Sequence, residues 1–168
     1  MTSRPAVSSP ALTEYVGGAA LAIVGIGLQW EGQTTPAARR AIERADVVLC
    51  AVADAEAAAW LCSLNARAES FAYPRDGRAR KDIYRAMVER IVAALQQGSR
   101  VCAVFYGSPS LLTWPAHEAL RVARRLGFAA CMLPAVSFLD CLLTDLHIDP
   151  GERGCSLYEA GEFLRTAR

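Results

Sequence analysis

The sequence predicts an α/β domain built on a mostly parallel, five-stranded sheet with helices on both faces. Two observations carry this. Short apolar runs recur at Leu21–Val24, Val47–Val52, Val101–Phe105 and Phe128–Leu133, and near-continuous apolar strands are those buried on both faces of a parallel sheet. Between them lie segments with helical character, so strands and helices alternate as crossover connections require. Length and composition agree, since 168 residues with 53% hydrophobic and 21% charged side chains suit one folded domain.

The elements follow in order. Residues 1–13 are rich in Ser, Pro and Ala, which predicts a disordered lead-in over residues 1–18 and a folded domain over 19–168. Leu21–Val24 is the first strand and runs into Gly25-Ile26-Gly27. Val16–Leu28 is uncharged, but it is too short to span a bilayer. Glu14 precedes it, no basic cluster leads it, and Glu31 and Gln33 stand where a signal cleavage site would fall. It reads as a buried strand with its glycine turn. Thr35-Pro36 is an N-cap followed by proline at the first helical position, opening a helix to Ala45. Val47–Val52 is a strand and Ala55–Leu64 a helix. Asp82 opens a long helix in which Ile83, Met87, Val88, Ile91, Val92 and Leu95 share a face, and Gly98 ends it. After the strand Val101–Phe105 and the loop Tyr106–Pro115 come a helix to Leu126, closed by Gly127, and the strand Phe128–Leu133. A short helix over Val136–Leu143, a fifth strand at Cys155–Leu157 and a helix from Glu159 complete the list.

Composition narrows the function classes. The formal charge of +1 gives no global field toward nucleic acid or membrane. Six cysteines stand singly, with no CxxC pair, and Cys50 and Cys102 lie inside apolar runs. This is cysteine used as a small core residue in a reduced, cytoplasmic protein. His117 and His147 lack cysteine or histidine neighbours at zinc-ligand spacing, so no metal site is expected.

In open parallel sheets, ligands bind beyond the carboxyl ends of the strands. Three loops leave strands there: Gly25-Ile26-Gly27, Tyr106-Gly107-Ser108-Pro109-Ser110, and Leu133-Pro134-Ala135-Val136-Ser137. Glycines at 25 and 27 permit positive φ and close approach of a ligand to the backbone. Trp30 stands where a dinucleotide fingerprint needs its third glycine, so a nicotinamide site is weakly supported. Ser137 reads either as a helix cap or as a hydroxyl facing the crevice. Arg75, Arg78, Arg80, Lys81, Arg85 and Arg90 form a basic stretch beside Tyr73 and Tyr84. Most of it reads as a solvated face; the alternative is a guanidinium clamp for negative charge. Arg80 and Tyr84 are four residues apart and share a helical face if the helix starts ahead of Asp82. His117 reads as a surface or cap residue, and Asp140, Asp145 and Asp149 as turn and cap residues.

The order of the three loops carries a resemblance. Leu21–Gly27, then Val104–Pro109, then Met132–Ser137 resembles the tetrapyrrole methylase superfamily. Within it, the chain looks closest to borosin-type enzymes that N-methylate peptide backbones. Cys141, Asp145-Leu146, Ile148-Asp149-Pro150, Gly154-Cys155, Glu159-Ala160 and Phe163-Leu164 echo that subgroup. The resemblance spans Leu21 to Leu164. It implies S-adenosylmethionine held by Gly25, Gly27, Tyr106, Gly107, Ser108, Leu111, Leu112 and Ser137, with Arg80, Tyr84 and Tyr73 activating the acceptor. It implies a peptide or tetrapyrrole acceptor, and a homodimer or partner chain supplying the second α/β domain that family members carry. Departures are specific: Ser108 and Ser110 replace histidine and glycine of a GHPG loop, Ala135 replaces a glycine, Pro74 replaces a tyrosine, and Phe71 occupies another aromatic position. These departures define the alternative, a catalytically inactive binding or assembly module.

Overall fold

The computed structural model describes residues 18–71 and 79–166. Of the lead-in expected over residues 1–18, residues 1–17 lie outside the described residues, as do Tyr73, Pro74, Arg75 and Arg78. Five strands, β1 (Leu21–Gly25), β2 (Val47–Ala51), β3 (Ala68–Ser70), β4 (Val101–Phe105) and β5 (Ala130–Met132), form one sheet in the order β3-β2-β4-β1-β5. Every pairing is parallel, with Leu21 opposite both Val101 and Ala130, and Val47 also opposite Val101. The sheet is therefore wholly parallel.

The fifth strand is not where it was expected. Cys155–Leu157 carries no strand and is exposed, and the edge position is taken by β3 instead. The reason is physical. An edge strand pairs on one side only, so Ala-Glu-Ser at 68–70 needs no apolar run to be held. Cys155-Ser156-Leu157 pairs with no strand of the sheet. The strand near Phe128 is also shorter than expected.

The helices are α1 (Trp30–Gln33), α2 (Pro36–Arg44), α3 (Ala55–Leu64), α4 (Arg80–Gln96), α5 (Trp114–Arg125), α6 (Phe138–Leu146), α7 (Pro150–Arg153) and α8 (Ala160–Thr166). Local chemistry sets their ends. Thr35 Oγ1 accepts from Ala38 N–H at 3.1 Å, with Pro36 at the first turn. Asp54 Oδ1 accepts from Glu56 N–H at 2.9 Å to open α3. Helix α4 starts at Arg80, two residues before Asp82, and buries Ile83, Met87, Val88, Ile91 and Leu95. Asp140 and Asp149 have the cap roles expected of them, Asp149 accepting from Gly151 N–H at 2.8 Å.

Strand residues alternate between two core layers, as the two-residue pleat requires. Leu21, Ile23, Leu49, Val101, Ala103 and Phe105 pack against α4 and α5. Ala22, Val24, Val48, Cys50, Cys102 and Val104 pack against α2 and α3. Cys50, Cys102 and Cys131 are buried free thiols, in keeping with cysteine as a core residue. At the amino edge of the sheet, away from the three loops, the Arg100 Nε and Nη2 groups donate to the two Asp46 carboxylate oxygens at 3.0 Å each, and the Arg100 backbone N–H also reaches Asp46. This joins the starts of β2 and β4. Among the described residues, no helix is long and apolar enough to cross a membrane.

Candidate functional site

Strand order brings the ends of β4, β1 and β5 side by side, so the three loops meet. Their meeting point is Gly25. A side-chain carbon there would lie 2.1 Å from the Gly107 carbonyl oxygen and 2.7 Å from both Ala135 Cβ and Pro109 Cδ. The missing side chain thus makes room for the other two loops to seat on the first, rather than for a ligand at that point. The junction is closed by backbone bonds. Gly27 and Gly107 exchange amide–carbonyl hydrogen bonds of 3.2 and 2.9 Å, and Ile26 N–H donates to Phe105 O at 3.1 Å. Both glycines have positive φ, near +70°. At Gly107 the side-chain direction opens into free space, where a ligand can approach the backbone.

Two side chains brace this junction. Gln33 Oε1 accepts from Leu28 N–H at 2.7 Å and Gln29 N–H at 3.1 Å, while its amide reaches Cys141 Sγ at 3.6 Å. It ties the first loop to α6. Ser137, 8% exposed, is the N-cap of α6. Its Oγ lies 3.3 Å from Asp140 N–H and 2.6 Å from the Asp140 carboxylate, which also accepts Ser137 N–H at 2.7 Å. These hydrogen bonds, from the Ser137 hydroxyl first, hold the Asp140 carboxyl below its usual range. Of the two readings of Ser137, the cap is present.

The second loop carries two of the departures that the resemblance implies, Ser108 and Ser110. Ser108, 7% exposed, has its Oγ 2.9 Å from Ser110 Oγ. The two serine hydroxyls therefore satisfy each other. Ser110 has no positive φ, so its side chain brings no left-handed strain. Leu112 does have one, at +52°, and is 55% exposed. A left-handed branched residue costs about 1–3 kcal/mol and persists where its surroundings fix it. Thr113 Oγ1 donates to Leu111 O at 2.9 Å, and His117 Nε2 lies 3.0 Å from Ser110 O.

Beside this loop is a cleft of about 320 Å³ at the carboxyl ends of β2 and β4, within the usual range for small-molecule sites. Val52, Phe71, Tyr84, Met87, Tyr106 and Leu112 line it, with Cys50 at its floor. Burial pushes the Cys50 thiol up to about 11, so it is a neutral group rather than a nucleophile. The cleft is apolar with the phenols of Tyr84 and Tyr106 at hand: it can shelter a reacting group from water and offer it hydroxyl donors.

The expected site residues therefore divide. Tyr84, Tyr106 and Leu112 line the cleft. Gly25, Gly27, Gly107, Ser108 and Ser137 build the junction beside it, with Leu111 half-buried in the connecting turn. Arg80 is exposed one turn before Tyr84 on α4, and Tyr73 lies outside the described residues. Sequence reasoning missed Phe71, Met87 and Val52 as lining residues, because only the adjacency of β2 and β4 brings them to Tyr106. It also missed the brace by Gln33. Among the described residues, no three His, Cys, Asp or Glu side chains gather as a metal site.

Comparison with known proteins agrees with this geometry. The family of Tetrapyrrole (Corrin/Porphyrin) Methylases matches residues 20–165, and the chain belongs to it. It is 40% identical over 149 residues to the methyltransferase/ribosomally synthesized cyclic peptide dendrothelin A precursor of Dendrothele bispora (strain CBS 962.96), covering 88% of this chain and 36% of that protein. It is 40% identical over 145 residues to the corresponding omphalotin A precursor of Omphalotus olearius, covering 86% of this chain and 35% of that one. The chain thus spans about a third of the length of these relatives. Uroporphyrin-III-C-methyltransferase from Thermus thermophilus has the same fold, with a TM-score of 0.58 at 21% identity over 77% of this chain and 53% of that one. The methyltransferase CobJ superposes with a TM-score of 0.58 at 17% identity, over 88% and 59%. The family implies S-adenosylmethionine as methyl donor.

Proposed function

We propose that this domain is the cofactor-binding part of an S-adenosylmethionine-dependent methyltransferase whose acceptor is a peptide backbone amide. The observation that carries the reading is the cleft in which Tyr84, Tyr106 and Leu112 converge beside the joined loops. Open space at Gly107 and the cleft volume fit a ligand of this class. Tyr106, Gly107, Ser108, Leu111, Leu112 and Ser137 would hold it, on a platform made by Gly25 and Gly27. When bound, S-adenosylmethionine supplies a methyl group on a sulfonium.

The protein's own task is to hold the acceptor in line and to stabilise charge. An amide nitrogen is a poor nucleophile, and its activation places negative charge on the amide oxygen. Tyr84 stands at the cleft, and Arg80 lies one turn earlier on the same helix. With Tyr73, these groups stabilise that charge by donating hydrogen bonds to it in a water-poor site. The relatives described as cyclic peptide precursors support a peptide acceptor over a tetrapyrrole. Phe138, Leu142 and Leu146 recur one turn apart on α6 and are exposed, as are Phe163 and Leu164 on α8. Such a face supports a working assembly with further protein surface, from a second copy or a partner chain. The test is methyl transfer to apolar peptides with S-adenosylmethionine, read by mass spectrometry on the chain with candidate partners. Methylated amides lost in Tyr84→Phe support the reading. Donor binding without transfer to any acceptor favours an inactive binding module instead.

A further inference from the structure

The loop that follows β4 is held from the helix after it. His117, on the first turn of α5, is exposed, yet its Nε2 sits 3.0 Å from the Ser110 carbonyl oxygen. A carbonyl only accepts, so Nε2 must carry the proton and donate. Ser110 is in turn bonded through its Oγ to Ser108 at 2.9 Å. From the other side, Thr113 Oγ1 donates to Leu111 O at 2.9 Å and reaches Ser108 O at 3.4 Å. Leu111 N–H closes the turn on Ser108 O at 3.3 Å. Between these fixed points Leu112 adopts its left-handed conformation and, with Tyr106, lines the cleft. A strained residue of this kind returns to ordinary backbone geometry when the contacts that enforce it are removed.

We propose that His117 is a positioning residue for the methyl-donor loop: its ring N–H, donated to the Ser110 carbonyl, holds residues 108–112 in the form that turns Leu112 to the cleft. The role at the donor site rests on the function proposed above; the tether itself does not. His117 is exposed and outside both core layers, so its replacement leaves the fold intact.

The experiment compares the wild-type chain with His117→Ala and with His117→Gln, whose amide N–H reaches about as far as Nε2. Amide hydrogen exchange over residues 108–113 is measured without ligand, and S-adenosylmethionine is titrated calorimetrically. The expected result is faster exchange in this segment alone for H117A, an unchanged melting temperature, and an affinity weaker by about fivefold, the scale of one hydrogen bond. H117Q recovers both. Unchanged exchange in H117A overturns the tether. Faster exchange with unchanged affinity overturns the positioning role. A wild-type chain that does not bind the donor overturns the proposed function and this role with it, and the wild-type titration distinguishes that from failure of the tether alone.

Discussion

Gly27 and Gly107, eighty positions apart in sequence, bind each other through both backbone groups: Gly27 N–H donates to Gly107 O, and Gly107 N–H to Gly27 O. This pair and the close approach of Gly25 to both Gly107 and Ala135 make the three loops one unit. Replacing each glycine by alanine should therefore cost stability in a definite order. Gly25→Ala meets backbone and side-chain atoms within 2.7 Å and is expected to cost about 3 kcal/mol or more by overpacking. Gly27→Ala combines positive φ with Gln33 Cβ at 2.4 Å and falls between. Gly107→Ala has positive φ but free space, so it should cost only about 1 kcal/mol. Urea denaturation of the three variants checks the ranking.

Ser137 caps α6 and closes the third loop. Ser137→Ala removes a reciprocal capping box and should destabilise by about 1 kcal/mol. Ser137→Asn keeps an N-cap acceptor and should restore most of that. If Ser137 also touches the methyl donor, S137N will regain stability without regaining donor affinity. Parallel melts and titrations of the two variants separate the roles.

Asp46 makes stability pH-dependent at the opposite edge of the sheet. Hydrogen bonds from the Arg100 side chain and then its backbone N–H lower the Asp46 carboxyl from 3.8 to about 2. A folded-state pKa below the unfolded one adds stability above the unfolded value, and that part is lost as pH falls through the folded value. Wild type should thus lose urea resistance between about pH 4 and pH 2, and Asp46→Asn should lose less over the same window. Denaturation midpoints across that range test the sign.

The thiols should report burial. Cys62 and Cys155 are exposed and Cys141 is half-buried, while Cys50, Cys102 and Cys131 are buried. Desolvation raises all three buried thiols, Cys102 most strongly. Alkylation of the native chain near pH 8 should modify Cys62 and Cys155 first, then Cys141. The buried three should react only on unfolding. Peptide mapping after timed quenching reads this order, and early modification of Cys102 would contradict the sheet assignment.

Much of this fold was legible because its signals are local. Thr35-Pro36 announces α2, the spacing from Ile83 to Leu95 announces α4, and Gly98 and Gly127 close their helices with positive φ. Strand β3 was not legible, since an edge strand of Ala-Glu-Ser carries no apolar run. At the site, the three loops and their order could be read along the chain. What could not be read is how they touch. The contacts of Gly25 with Gly107 and Ala135 depend on β1 lying between β4 and β5. Likewise Phe71 and Met87 reach Tyr106 only through the packing of β2 and α4 around β4.

The central claim is that the joined loops form a methyl-donor site. Calorimetric titration of the folded chain with S-adenosylmethionine, and with its demethylated product, tests it most directly. The account expects micromolar binding of both, on the order of 8 kcal/mol, weakened by substitution at Tyr106 and unaffected by substitution at Asp46. A folded chain that binds neither compound would contradict it.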